Sequence, residues 1–307
     1  MTAVSILLAV GAGDCEAALR FAVAEARRTQ RGLHLVHVLH MPPSGPESFS
    51  IAFEAGREIG QRALDAASAR AEELGAGQVE ITTELVLEGH GTVRDLVDRS
   101  AAAHLVVLQH RHLGLLARLG AGSATYGVAA RAHVPVVSVP EGWVPPDEPF
   151  GTVTVGVHEP ERAEEVLRTA FELAHENGCR LRVLHTWWLA NGYDGVVVDD
   201  AMRRDFTVRA TEEITTTVGP LREDHPGVEV DIDIRHVPTL DGLVEASRTS
   251  DLLVIGRRHV SLPLQSHLGS VARATIRESA CPVAVVEPTA IPPSAGQQQP
   301  ADPDLQR

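Results

Sequence analysis

The chain contains one segment twice, as LLVIGRRH at residues 252–259 and as LVVLQHRH at residues 105–112, an offset of 147 positions. The match continues without a gap beyond this segment. At the same offset Gly122-Ser123 meets Gly269-Ser270, and Pro135-Val136 meets Pro282-Val283. Self-similarity at a fixed offset over most of the chain indicates that one domain has been duplicated.

The repeat predicts the domain organisation. We expect a first domain at residues 2–140 and a second at residues 151–287. Residues 141–150 are rich in proline and acidic side chains, which is typical of a short, semi-rigid linker. Residues 288–307 lack the apolar side chains that offset ordering entropy, so we expect a disordered tail.

Each copy alternates apolar strands with amphipathic helices. Alternation of this kind favours right-handed crossovers and a mainly parallel sheet. The predicted fold class is α/β, with two tandem copies of a doubly wound five-stranded sheet that has helices on both faces. In the first copy the predicted elements are strands at 5–10, 33–39, 79–87, 105–108 and 134–139 and helices at 16–29, 54–74, 93–102 and 123–132.

Composition excludes several classes of protein. The formal net charge of −14 disfavours binding to nucleic acid or to an anionic membrane surface. The chain has no lysine, which excludes a P-loop lysine and lysine-based covalent catalysis. Its three scattered cysteines, the lack of a basic region before the first apolar strand and the lack of a spanning apolar run predict a cytoplasmic protein without disulfides.

The turn after the fourth strand of each copy is the expected ligand site, because doubly wound sheets bind ligands outside the carboxyl ends of their strands. In the second copy this turn, directly after a strand at 252–255, reads Gly256-Arg257-Arg258-His259. A glycine here lets the backbone approach a ligand, and the two arginines raise the positive potential for phosphate. A helix that opens at Gly269-Ser270 would present free amides and a hydroxyl to an anion.

These spacings resemble those of nucleotide-binding universal stress proteins, and the resemblance covers nearly all of both copies. That family carries Gly, two residues, Gly, nine residues, then Gly followed by Ser or Thr. The resemblance implies an adenine nucleotide alpha hydrolase-like fold and a bacterial stress-response module that binds ATP or another adenine nucleotide. By that likeness Gly256 and position 259 line the phosphate loop, while Gly269 and Ser270 cap the phosphates.

The departures from the family pattern predict a weakened site in the second copy and a degenerate site in the first. His259 replaces the middle glycine of the second copy. The acidic residue that the family places after the first strand is replaced by His158 there and by Gly11 in the first copy. The positions of the degenerate first site are Gly11, Gln109, His112, Gly122 and Ser123.

Simpler interpretations stand beside these. Ser123 and Ser270 are also typical helix N-cap residues. The histidines at 34, 37, 40, 110 and 112 invite a metal interpretation, but they lack a matching set of cysteines or carboxylates, so we predict no metal site. Cys281 precedes a buried strand, where packing is its expected role.

Trp187 and Trp188 are predicted to lie in the loop after a strand, near the pocket. They are expected to form a lid over apolar surface, or else to stack on an adenine or cover a partner surface.

Three hypotheses of function follow. The first is a nucleotide-binding stress module whose ligand shifts a conformation recognised by an unknown protein partner. The second is a scaffold that binds no nucleotide and acts by dimerisation, either as an internal pseudo-dimer or between chains. Its contacts would be the apolar edge strands at Val136–Val139 and Val283–Val286. An enzyme is the least favoured, because no acid/base pair or activated nucleophile accompanies the motif, although slow ATP hydrolysis stays open.

Overall fold

Ten strands form one continuous sheet in the computed structural model, which describes residues 4–39, 46–87, 90–110, 124–189, 194–257 and 268–287. The strands are β1 Ser5–Ala9, β2 Leu33–Val38, β3 Ile81–Val86, β4 Ala103–His110, β5 Val136–Pro140, β6 Thr152–Val157, β7 Arg180–Trp187, β8 Val230–His236, β9 Leu252–Gly256 and β10 Val283–Val286. Their spatial order is β3-β2-β1-β4-β5-β10-β9-β6-β7-β8.

Each half of the sheet is parallel, and the two halves meet in an antiparallel pair. Strands β1 to β5 pair only in parallel, as do strands β6 to β10, whereas β5 and β10 run antiparallel. The predicted fold class, two doubly wound five-stranded sheets, is therefore confirmed. Because the strands of the two halves run in opposite directions, the carboxyl ends of β1 to β5 and those of β6 to β10 point to opposite ends of the sheet.

The junction of the halves is the pairing of β5 with β10. Val136 faces Val285, Val137 faces Ala284 and Ser138 faces Val283. All of these side chains are buried. Burial of each valine contributes about 1.5–3 kcal/mol to the free energy of unfolding, so the junction is apolar and stable. The two apolar edge strands, which we expected to join either the two copies or two chains, thus pair with each other inside one chain.

Helices cover both faces of the sheet. Helices α1 Glu16–Thr29, α2 Pro46–Gly75, α5 Glu164–Asn177 and α7 Asp200–Asp224 supply one core, and α3 Thr92–Ser100, α4 Ala124–Ala129, α8 Thr239–Ser247 and α9 Ser270–Glu278 supply the other. A short helix, α6, spans Asp194–Val197. No helix in the described ranges is both long enough and apolar enough to cross a bilayer.

Helix α2 begins at Pro46 rather than near Glu54, so it is longer than the sequence pattern predicts. Its early turns approach the sheet closely at two glycines. A Cβ atom on Gly56 would lie 2.6 Å from Cδ1 of Leu39, and one on Gly60 would lie 2.7 Å from Cδ2 of His37. A side chain at either position would force the neighbouring side chain to move, which explains two weak helix formers in the interior of this helix.

The duplication extends to individual hydrogen bonds. The hydroxyl of Ser100 accepts from the N–H of His133, and that of Ser247 accepts from the N–H of Ala280, each at 3.0 Å. Both pairs are related by the 147-residue offset. The two halves therefore share side-chain contacts that hold α3 and α8 against the turns before β5 and β10, as well as an order of elements.

The linker between the halves is attached at both ends. The N–H of Glu141 donates to the carbonyl of His110 at 2.9 Å. At the other end the carboxylate of Asp251 accepts from the N–H groups of Phe150 and Thr152, both at 3.0 Å. These bonds fix the segment predicted to be semi-rigid along one edge of the sheet.

Candidate functional site

The strand order reverses once in each half, and we take the carboxyl ends of the strands at that point as the candidate crevice. From β1 the chain moves outward to β2, whereas from β4 it moves inward to β5, so the helices that follow β1 and β4 cover opposite faces. The first crevice lies between the carboxyl ends of β1 and β4, and the second lies between those of β6 and β9. Doubly wound sheets bind ligands at such positions.

Gln109 closes the crevice of the first half. Its Nε2 donates to the carbonyl oxygen of Asp14 at 2.9 Å, and its Oε1 accepts from the N–H of Ala18 at 3.2 Å. The N–H of Ala18 belongs to the first turn of α1, where backbone amides have no acceptor inside the helix. A side chain from β4 therefore occupies the end of α1 that would face a ligand in an open crevice.

Gly256 is the counterpart of Gln109 in the second half and has no side chain to reach across. A Cβ atom at this position would lie 3.1 Å from Cγ2 of Val166 in α5. The first turn of α5 thus packs directly against the turn after β9. The backbone of Gly256 does not have positive φ, so close approach rather than left-handed geometry is the reason for glycine.

Arg257 faces the other half of the molecule. Its side chain is 9% exposed, its guanidinium donates to the carbonyl oxygen of Ala132 at 2.9 Å, and it forms an ion pair with Glu287 at 2.5 Å. The backbone N–H of Arg257 also bonds the carbonyl of Val286. This placement gives no support to the prediction that Arg257 attracts phosphate, because Ala132 and Glu287 hold its guanidinium group at the junction.

Helix α9 begins at the candidate phosphate position. Gly269 is its N-cap residue, in extended conformation and without a side-chain cap, and Ser270 is the exposed first residue. The interpretation of Ser270 as the N-cap is therefore wrong. The first turn of α9 contains no acidic residue, and Arg273 stands exposed one turn further on. Uncapped amides and a nearby cation favour an anion at this end of the helix.

His158 and Gly11, at the ends of β6 and β1, are both exposed. They lie where the sequence pattern places them, and neither supplies a carboxylate to the crevice. The other predicted site residues, His112, Gly122 and Ser123 in the first half and Arg258 and His259 in the second, lie outside the described residues. The predicted disordered tail at 288–307 does as well.

The family model for the universal stress protein family matches this chain twice, at residues 5–140 and 149–287. The chain belongs to the universal stress protein family. A universal stress protein of Mycolicibacterium smegmatis is 25% identical over 292 residues, which cover 94% of this chain and 98% of that relative. A universal stress protein of Mycobacterium tuberculosis is 27% identical over 287 residues, with coverages of 90% and 94%.

Solved structures show the same fold. A universal stress protein from Archaeoglobus fulgidus matches with a TM-score of 0.66 at 15% identity, covering 92% of this chain and 96% of that one. A second match, at 25% identity and a TM-score of 0.34, covers 45% of this chain. It is a universal stress protein from the same organism in complex with dAMP.

An aromatic stack, which the sequence analysis did not foresee as a unit, lies at the carboxyl ends of β7 and β8 in this universal stress protein. The ring centroid of Trp187 lies 4.3 Å from that of Phe206 and 4.1 Å from that of His236. The ring centroid of Trp188 lies 5.0 Å from that of His236. The buried carboxylate of Asp194 pairs with Nε2 of His236 at 3.0 Å. Trp187 is thus a packing residue, while Trp188 remains 46% exposed.

The signal that could have found this stack is the alternation of His185 and Trp187 along β7, which places both side chains on one face. His185 is buried, and its ring stacks on Phe206 with centroids 5.9 Å apart. Its Nδ1 donates to the carbonyl of Val157 at 3.0 Å, as Nδ1 of His37 does to Val10 at 2.8 Å. Burial lowers the pKa of His185 below its ordinary value. His37 in the first half and His185 in the second half thus each join two neighbouring strands.

The described residues contain no group of three or more histidine, cysteine or acidic side chains arranged to hold a metal. His34 bonds Thr82 and Glu84 on the neighbouring strand instead. All three cysteines are free thiols. Burial raises the pKa of Cys281 to about 12, so the thiol stays protonated at neutral pH and packing is its role.

Proposed function

We propose that this universal stress protein is a binding module for an adenine nucleotide, ATP among the candidates, and that the second half carries the site. The observation that carries this proposal is a difference between the two halves: the first half has Gln109 where the second half has Gly256. One crevice is filled by the protein's own amide, whereas its counterpart has no such side chain. The nucleotide would bias a conformation that partners recognise, in a reducing cytoplasm.

The start of α9 supports the position of the phosphate. Its first-turn amides carry no side-chain cap, its first residue is a serine, and it has no acid in the first turn. The engagement of Arg257 at the junction removes one cation from the phosphate. We therefore expect weak binding, with a dissociation constant nearer to the millimolar than to the nanomolar range.

Calorimetric titration of the full chain with AMP, ADP and ATP tests this proposal, with phosphate release measured alongside to detect hydrolysis. The sharpest variant is Ser270→Asp. A carboxylate at the first position of α9 favours the helix, because it faces the positive end of the helix dipole, but it repels a bound phosphate. Binding should be lost while thermal stability is kept. Ser270→Asn is the matched neutral control. Absence of heat with all three nucleotides would rule out the proposal.

The alternative is a scaffold that binds no nucleotide. The observation in its favour is the self-filled crevice of the first half, which leaves that half without a ligand role. Strands β5 and β10 are already paired within the chain, so assembly between chains would need another surface. Light scattering across a range of concentrations tests it: a mass that rises with concentration, without nucleotide, supports a scaffold.

A further inference from the structure

Two arginines and a histidine lie together at the amino ends of β1 and β4, at the opposite end of β4 from Gln109. Arg28 belongs to the last turn of α1, and His104 is the second residue of β4. Arg31 lies between α1 and β2, and its Nη1 donates to the carbonyl oxygen of Val4, just before β1, at 3.5 Å. Both arginines act electrostatically on His104. The three side chains therefore form one basic cluster.

The carboxylates near the basic cluster do not balance it. Glu25, which is 5% exposed, forms an ion pair with Arg28, and it is the acid that acts on His104. Within the described residues Glu80, just before β3, is exposed and pairs with neither arginine. Two guanidinium groups thus face one carboxylate at His104, and the local field is positive even when the histidine ring is neutral.

Two donor nitrogens of the basic cluster are buried without an acceptor. Nη1 of Arg28 and Nε of Arg31 have no hydrogen-bond partner in the part of the chain that the structure describes. Buried donors nearly always have a partner, and a bound ion is one explanation for an exception. Guanidinium groups are well suited to the oxygen atoms of phosphate and similar anions. Arg28 is 24% exposed and His104 is half-buried, so the cluster reaches solvent.

The second half carries no such cluster at the equivalent positions. Helices α1 and α5 end at equivalent positions of the repeat, each with a left-handed C-cap residue. The residues of the second half that align with Arg28, Arg31 and His104 are Glu176, Cys179 and Asp251. Two acids and a thiol thus stand where the first half has two cations and an imidazole. The basic cluster belongs to the first half alone, and no general requirement of the fold explains it.

We propose that Arg28, Arg31 and His104 bind a small oxyanion, inorganic phosphate or sulfate. The site does not depend on the proposed nucleotide site, and it gives the first half a ligand role outside its filled crevice. Burial and Asp251 raise the pKa of the Cys179 thiol, whereas Arg28 is near enough to oppose them. The site therefore borders the second half, and a bound anion would stabilise the folded chain by mass action.

Thermal melts of the full chain in sodium sulfate and in sodium chloride of equal ionic strength test the site. Sulfate at about ten times its dissociation constant should raise the melting temperature by about 3 °C more than chloride does, and phosphate should act as sulfate does. The variant Arg28→Gln with Arg31→Gln should lose this difference and still melt cooperatively in chloride. The matched control is Arg57→Gln with Arg62→Gln, which removes the same charge from exposed positions of α2 and should keep the difference.

Acid should strengthen the binding of sulfate through His104. Burial and Arg31 lower the pKa of this ring, and a bound anion favours its charged form. Sulfate keeps the same charge between pH 8 and pH 5, so a change in affinity over this range reports the protein alone. Calorimetry should show an affinity about fivefold higher at pH 5 in the wild type, and His104→Asn should remove most of this rise. His133→Asn, at an exposed position, is the control.

A melting temperature that rises equally in sulfate and in chloride would overturn the site. An unchanged effect of sulfate in the Arg28→Gln, Arg31→Gln variant would also overturn it, because the anion would then lie elsewhere, for example at the start of α9. An equal gain of affinity in acid in His104→Asn would exclude His104 from the site. None of these results bears on the affinity for nucleotide, which is measured separately.

Discussion

Val137 and Ala284 face each other in the ladder between β5 and β10, and they are also equivalent positions of the repeat, 147 residues apart. When equivalent residues of two antiparallel strands are partners, a two-fold axis passes between them. The two halves are therefore arranged as the subunits of a symmetric dimer would be, although they belong to one chain.

Charge placed at this axis should unfold the molecule. Both side chains are fully buried, so Val137→Asp with Ala284→Asp would bury two carboxylates of like charge without partners. We expect a loss of at least 3 kcal/mol in the free energy of unfolding, measured by denaturant titration. Val144→Asp, at an exposed position of the linker, is the control and should change stability little.

Exchange of the crevice residues should affect binding and stability separately. Gly256→Gln introduces a side chain like that of Gln109 beside Val166 at the start of α5 and should abolish nucleotide binding. Gln109→Ala removes a cap from α1 and should lower the free energy of unfolding by about 1 kcal/mol without altering binding. Calorimetry and denaturant unfolding of both variants check this. Full nucleotide affinity in Gly256→Gln would show that the ligand lies elsewhere.

Arg257 should prove a structural residue. Arg257→Ala removes a charged donor from a buried carbonyl and from Glu287, which predicts a loss of about 2 kcal/mol. Arg257→Lys should recover only part of it, because a more strongly hydrated ammonium group replaces the single guanidinium nitrogen that meets both Ala132 and Glu287. Arg277→Ala breaks an exposed ion pair with Glu278 and should cost less than about 0.5 kcal/mol. A similar loss in the 257 and 277 variants would contradict this role.

Stability should fall in mild acid because the fold holds the buried His185 and the half-buried His104 in surroundings that disfavour the charged ring. Burial lowers the pKa of both His104 and His185 from 6.5, with Arg31 adding to the effect at His104. Their contribution to folding is therefore complete above pH 6.5 and is lost as the pH falls through the lowered folded values. Thermal melts between pH 8 and pH 5 should show a smaller loss in His104→Asn with His185→Asn. The exposed His133→Asn should behave as the wild type does.

Much of the fold could be predicted because the same pattern of strands and helices occurs twice in the sequence. Apolar strands such as Leu252–Gly256 recur at a fixed offset, and their burial on both faces leaves few topologies. The start of α2 at Pro46 was missed because residues 46–53 contain a proline and two serines, which weaken the local helix pattern. Helix limits set by tertiary contact are not visible in periodicity.

The candidate site was less predictable, because spacing does not tell where a side chain points. Gln109 and Arg257 occupy neighbouring positions of the motif in the two halves, yet one reaches into its own crevice and the other reaches across the junction. Both directions depend on partners far along the chain, Ala18 and Ala132.

The antiparallel junction of β5 with β10 has an evolutionary consequence. In a pair of identical subunits every substitution is inherited by both, so neither partner can give up its ligand while the other retains it. Covalent fusion about the same axis lifts this restriction: glutamine at position 109 and glycine at position 256 coexist because a single gene encodes each separately. One half has thereby become free to specialise as support for the other.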